Sequence, residues 1–242
     1  MNINQQMLLL TVLILIVISI IYYRSYTNER PTCDNYTSTV YLYVILGMLI
    51  TYFGVLFIAK RKYPITSTKR LLFLVVALGA IFAMFNVDSN KVLLNHFWWI
   101  VCWIGMSFLV CSVWKDSQFR GLLLSSLIIT IVWVSLLVLF VHLMPDLVQL
   151  NWRSGLISVL IITILAWIVP MFFGKSKDNM KVYYKVISAC FVIVFSLLVL
   201  YDTKLLRVKA ESCVGSPDYP KDSMGLFLDI THLLGNINFL RM

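Results

Sequence analysis

Asp229 stands inside the last apolar segment of the chain, and Asp202 closes the apolar run before it, in Leu200-Tyr201-Asp202-Thr203. A carboxylate at membrane depth is costly, so one that is kept there marks an ion or proton site before anything else. Two carboxylates close together in a low dielectric cannot both ionise freely: unit charges about 4 Å apart repel by roughly 4 kcal/mol at an effective dielectric of 20. One acid of such a pair holds a proton or shares one, and protonation becomes a switch. The competing readings are plainer. Asp229 could serve as a hydrogen-bond acceptor tying helices together, and Asp202 could be a solvated acid at a span end.

The last segment adds a pattern. Gly225, Asp229, His232 and Asn236 follow the spacing i, i+4, i+7, i+11 and fall on one helical face, with Leu226, Leu228, Ile230, Leu233, Leu234 and Ile237 on the other. A polar stripe on an apolar helix is expected to turn inward, toward other helices or water. His232, three residues from Asp229, would tune its proton affinity or make an interhelical hydrogen bond.

The elements that position these residues are membrane spans. With 60% hydrophobic and only 13% charged residues and a mean hydropathy of +0.88, the chain cannot be an ordinary water-soluble domain. Apolar runs near the ~20 residues needed to cross a bilayer occur at Met7 to Tyr23, Val40 to Ala59, Leu71 to Phe85, Val92 to Trp114, Gly121 to Met144, Gly155 to Phe173, Val182 to Tyr201 and Met224 to Leu240. The expected fold is an all-α polytopic transmembrane bundle of seven to eight spans, a single domain over residues 1–242, with the polar C-terminal helix at its centre. The runs are continuous rather than alternating, which excludes barrel strands. The first run has no basic residue ahead of it and no small-residue cleavage site after Tyr22-Tyr23-Arg24, so it reads as a retained span. Two connections are long, Arg24 to Thr39 and Asp202 to Ser223.

The net charge of +9 does not indicate nucleic acid, because the basic residues sit in short loops beside spans, where orientation in the membrane accounts for them. Lys60, Arg61, Lys62, Lys69, Arg70, Lys115, Arg120, Lys175, Lys177 and Lys181 lie on one side, against Arg24, Arg30, Lys91 and Arg153 on the other. The asymmetry predicts an inside N-terminus. The last long loop, with Lys204, Arg207, Lys209 and Lys221, falls outside if all eight segments cross and inside if one does not.

No cysteine and histidine spacing suits a metal, and Cys102, Cys111 and Cys190 sit within spans. Cys33 and Cys213 lie in loops that face one compartment under the eight-span topology, so a disulfide between them is expected if that compartment is oxidising. Asn35-Tyr36-Thr37 is a glycosylation sequon by pattern. His96 and His142 stand near span ends, and Lys185 is expected to snorkel to the interface.

The C-terminal stretch Tyr201-Asp202-Thr203-Lys204-Leu205-Leu206, Lys209-Ala210-Glu211, Asp218-Tyr219-Pro220 and Asp222-Ser223-Met224-Gly225-Leu226-Phe227-Leu228-Asp229-Ile230 resembles the signature of the Bax-inhibitor, or LFG-like, family. Lys60-Arg61-Lys62-Tyr63-Pro64 resembles its basic-aromatic-proline turn, Phe119-Arg120-Gly121 opens a span in a familiar place, and the Ser-Met pair resembles the growth-hormone-inducible branch. Members are generally described with seven spans, so the extra segment is either Met7 to Tyr23 or Gly155 to Phe173. The resemblance implies a calcium-permeable leak channel or cation exchanger gated by a protonated aspartate pair, acting in calcium homeostasis and regulation of cell death. Its positions match Asp202 and Asp229, which would also hold calcium transiently. The resemblance further implies a cationic partner on an early helix, for which Lys60 and Arg61 are the candidates; a topogenic basic loop explains them as well.

Calcium and protons are then the ions, with no other cofactor, and the bilayer is the partner, alongside membrane proteins the sequence does not name. The membrane would be endoplasmic reticulum, Golgi or mitochondrial inner membrane in a eukaryotic or viral setting and the plasma membrane in a bacterium. Nothing in the sequence suggests an enzyme. Intramembrane aspartyl proteolysis is half met, since Tyr201-Asp202 is present but Gly-Leu-Phe-Leu-Asp replaces Gly-Leu-Gly-Asp. A non-transporting subunit or interaction protein of a larger membrane assembly is the alternative.

Overall fold

A computed structural model describes residues 3–27, 30–61, 66–88, 90–114, 117–168, 177–213 and 217–241. The continuous apolar runs fold as helices: α1 Ile3–Ser25, α2 Tyr36–Lys60, α3 Ser67–Asn86, α4 Val92–Trp114, α5 Ser117–Leu143, α6 Arg153–Ile168, α7 Lys177–Glu211 and α8 Tyr219–Arg241. The fold is an all-helical polytopic bundle. A two-stranded antiparallel ribbon, β1 Tyr26–Thr27 with β2 Arg30–Pro31, pairs Tyr26 with Pro31 in the connection from α1 to α2. Six helical segments are long and apolar enough to cross a membrane, namely those in α1, α2, α4, α5 and α7 and Pro145–Ala166. The apolar part of α3, Leu71–Asn86, is shorter, and α8 carries Lys221, Asp222, Asp229 and Arg241. The end of the expected Gly155 to Phe173 span, and Lys62, Tyr63 and Pro64 of the basic turn, lie outside the described residues.

The structure corrects one expectation. The connection read from Asp202 to Ser223 is mostly helix, because α7 continues to Glu211 and α8 begins at Tyr219. Hydropathy stops at Tyr201, but Lys204-Leu205-Leu206-Arg207-Val208-Lys209-Ala210-Glu211 is made mostly of good helix formers with no glycine or proline, so the backbone stays helical. Asp202 therefore sits within α7.

The chain groups into two compact units, one of Met1–Asp116 with Lys209–Met224 and one of Ser117–Val208 with Gly225–Met242. In the first, α4 packs on α2 and α3, and α1 on α2. Small residues set these approaches: a Cβ on Gly47 of α2 would fall within the Trp103 indole of α4, and one on Gly105 would stand 3.0 Å from Ala77 Cβ of α3. Close backbone approach is what gives helices packing energy in lipid, where burial from water cannot. Phe73 and Phe108 stack across α3 and α4 with ring centroids 3.6 Å apart.

In the second unit, Phe195 of α7 packs with Leu233 and Ile237 of α8, and Val141 and Leu200 with Val148. Trp133 Nε1 donates to Ser196 Oγ at 2.8 Å, joining α5 to α7, and Ser126 Oγ donates to Asn238 Oδ1 at 3.0 Å, joining α5 to α8. Arg241 adds a 2.6 Å bond to Ser125 Oγ.

Candidate functional site: the α7–α8 acids and the connection between them

Asp229 is 8% exposed on α8, flanked on the same helix by buried Leu226, Phe227, Ile230 and Leu233. Asp202 is half-buried on α7 between buried Tyr201 and Thr203. Its Oδ2 lies 2.8 Å from the position a Cβ would take on Gly225, one turn before Asp229. The missing side chain thus gives the Asp202 carboxylate its seat against α8, and Asp202 acts electrostatically on Asp229. The second unit brings together the two acids singled out in the sequence.

The rest of the stripe departs from expectation. His232 is exposed, its imidazole stacked on Phe195 at 4.8 Å between centroids, and Asn236 Nδ2 donates to the His232 carbonyl at 2.8 Å. At about 100° per residue the four positions share a face, but Asp229 lies at its inner edge and His232 at its outer edge. The apolar side of α8 takes the core, so only one edge of the stripe is enclosed. Lys60 and Arg61, the candidate cationic partners, belong to the first unit: both are exposed at the end of α2, with the Arg61 guanidinium 5.6 Å from the Phe57 ring centroid. Lys185 is half-buried on α7.

In the first unit, Cys33 and Cys213 are bonded. The bond places the α7–α8 connection at the same end of this unit as the α1–α2 connection. Lys221 Nζ adds the α3–α4 side by donating to the Phe85 carbonyl at 3.1 Å. The last connection lies at that end. Its basic residues are partly accounted for, because Lys209 of α7 pairs with Asp222 of α8. Asn35, the sequon residue, is exposed with φ 56° and accepts from Arg24 at 3.0 Å through Oδ1.

Sequence reasoning assigned no role to the residues that close this end. Asp218 caps α8: its Oδ1 accepts from the Lys221 amide at 3.3 Å, satisfying a first-turn donor, and its Oδ2 accepts from Asn95 Nδ2 at 2.9 Å. Burial, reinforced by nearby Asp222 and opposed by the Lys221 amide and by Lys221 and Lys209, holds its carboxyl up at about 6. Asp222 accepts from Tyr36 Oη as well as from Lys209, and Tyr219 Oη donates to the Thr32 carbonyl. Trp99 Nε1 donates to Ser223 Oγ at 3.2 Å. Nearby, His96 Nδ1 donates to the Val92 carbonyl at 2.8 Å, leaving Nε2 to accept from Tyr43 Oη at 2.7 Å. The available signal was Asp218 three residues ahead of Lys221 at a helix start; Asn95, Tyr36, Thr32 and Trp99 each lie more than a hundred residues from their partners in sequence.

No cluster of three or more histidine, cysteine, aspartate or glutamate side chains is arranged to hold a metal among the described residues. Fold and site together define an integral membrane protein of several helices whose last two each contribute one acid to a common place. The chain belongs to the Bax-inhibitor family: residues 33–242 match the family described as inhibitor of apoptosis-promoting Bax1. No curated protein matches the chain. The matched stretch begins after α1 and takes in α2 to α8.

Proposed function

We propose that this chain forms a pH-sensitive pathway for calcium leak or cation exchange, in which Asp202 and Asp229 are the gate. The observation that carries the reading is the seating of the Asp202 carboxylate against Gly225, one turn from buried Asp229. A shared proton removes the repulsion between the two acids and holds α7 against α8. Loss of that proton leaves two anions that separate or draw a cation between them. Calcium fits such a place transiently, since two carboxylates offer hard oxygen ligands but far fewer than the six to eight of a stable site. The reading makes the protein a pathway and not an enzyme, with calcium homeostasis and cell-death control as its setting. Purified protein in liposomes loaded with a calcium indicator tests it: calcium entry depends on pH around neutrality, and the dependence is lost when the acids are neutralised. Protein that inserts fully and passes no calcium at any pH overturns it in favour of a non-transporting subunit.

A further inference from the structure

Cys33 and Cys213 are separated by 180 residues and join the start of α2 to the end of α7. Cys213 lines an open cleft of about 510 Å³ whose walls include Tyr36, Lys209, Asp218, Lys221 and Asp222. Both cysteines are half-buried rather than sealed, so a small thiol can reach Cys213 through the cleft. Other ties gather at this end: Tyr36 to Asp222 joins α2 to α8, Lys209 to Asp222 joins α7 to α8, and Tyr219 to Thr32 joins α8 to the connection before α2. Lys209 lies seven residues beyond Asp202 on α7, and Asp222 seven residues before Asp229 on α8.

We propose that the Cys33–Cys213 bond is a redox-addressable clasp, and that its reduction by a low-molecular-weight dithiol frees the α7–α8 connection from the start of α2 and raises the leak. One thiolate of the reductant attacks Cys213 Sγ, forming a mixed disulfide and releasing Cys33 as a thiolate that takes a proton. The second thiol of the reductant then displaces Cys213, leaving two protein thiols and an oxidised reductant, with two electrons transferred. Without the covalent link, the α7–α8 connection is held by non-covalent bonds alone, among them an ion pair whose lysine is 43% exposed, and the first turn of α8 opens more often.

Only the flux part of this inference rests on the proposed pathway, and two readouts separate them. In liposomes, amide exchange at Lys221 to Ser223 is compared between oxidised protein, protein reduced with dithiothreitol and the Cys33→Ser/Cys213→Ser variant, alongside calcium flux. Exchange faster by about tenfold in both reduced and variant protein, the scale of one lost charge-assisted bond, with a raised calcium leak that dithiothreitol no longer changes in the variant, is the expected result. Unchanged exchange after both thiols have been alkylated overturns the clasp, as does faster exchange with a leak that reduction leaves unaltered. Absence of calcium flux in every form refutes the pathway and the control of it together, while exchange still decides whether the bond holds the turn. If a misfolded variant clouds the comparison, reduced wild-type protein returned to the oxidised state must recover slow exchange.

Discussion

The Asp202 carboxylate occupies space that only a glycine at 225 leaves open: its Oδ2 is 2.8 Å from where a Cβ would stand. Gly225→Ala therefore forces the carboxylate to move by a few tenths of an ångström or more. Because the clash is with the end of a side chain and not with backbone, the expected cost to stability is within about 1 kcal/mol. The pH profile of calcium flux should nonetheless shift, since the distance between the acids sets their repulsion. A profile identical to wild type would remove Gly225 from the account of the pair.

Gly47 offers the opposite case. A Cβ there would coincide with the buried Trp103 ring, and neither the ring nor the α2 backbone has room to yield. Gly47→Ala is expected to destabilise the protein by about 3 kcal/mol, at the upper end of the usual overpacking range. Thermal unfolding in detergent measures this, and a melting temperature equal to wild type would contradict the close α2–α4 approach.

Asp218 makes the first turn of α8 sensitive to pH. Its carboxyl is held up at about 6, against an ordinary value of 3.8, chiefly by burial. The folded protein thus binds this proton more tightly than the unfolded chain does. The resulting stabilisation is complete below about 3.8 and is lost as pH rises through about 6. Asp218→Asn keeps an acceptor for the Lys221 amide while removing the titration. Amide exchange at Lys221 to Ser223, corrected for its intrinsic pH dependence, should rise across that window in wild type and stay flat in the variant.

How much of this was legible in the sequence depended on the kind of signal. Asp229 was visible because a charge inside an apolar run stands out, and Asp202 because it belongs to a motif with Tyr201. The end of α7 was missed because hydropathy reports burial in lipid, whereas helix formation from Asp202 to Glu211 follows from propensity, which does not stop where the charges begin. The partners of Asp218 and Asp222 were invisible for a different reason: Asn95 and Tyr36 reach them only through tertiary folding, and no spacing encodes that. His232 shows the limit of a helical wheel, which groups residues on a face without saying which edge is covered.

Asp222→Asn removes one charge from the Lys209 pair and weakens the bond from Tyr36. Since Lys209 is 43% exposed, the ion pair itself contributes little, about 1 kcal/mol or less. The bond to Tyr36 is better shielded and adds a comparable amount. A loss of about 1 to 2 kcal/mol is expected in chemical denaturation. Tyr36→Phe combined with Asp222→Asn should cost less than the sum of the two single losses, and a fully additive loss would show that the two residues do not act on one another.

The most direct measurement is calcium flux into liposomes against pH for wild type, Asp202→Asn, Asp229→Asn and the double variant, with equal insertion verified for each. Asp229→Asn is expected to abolish most of the pH response, Asp202→Asn to weaken the closed state and raise the leak, and the double variant to be no more pH-sensitive than Asp229→Asn alone. If all four proteins pass calcium at the same rate with the same pH profile, the acids hold helices together and do not gate a pathway.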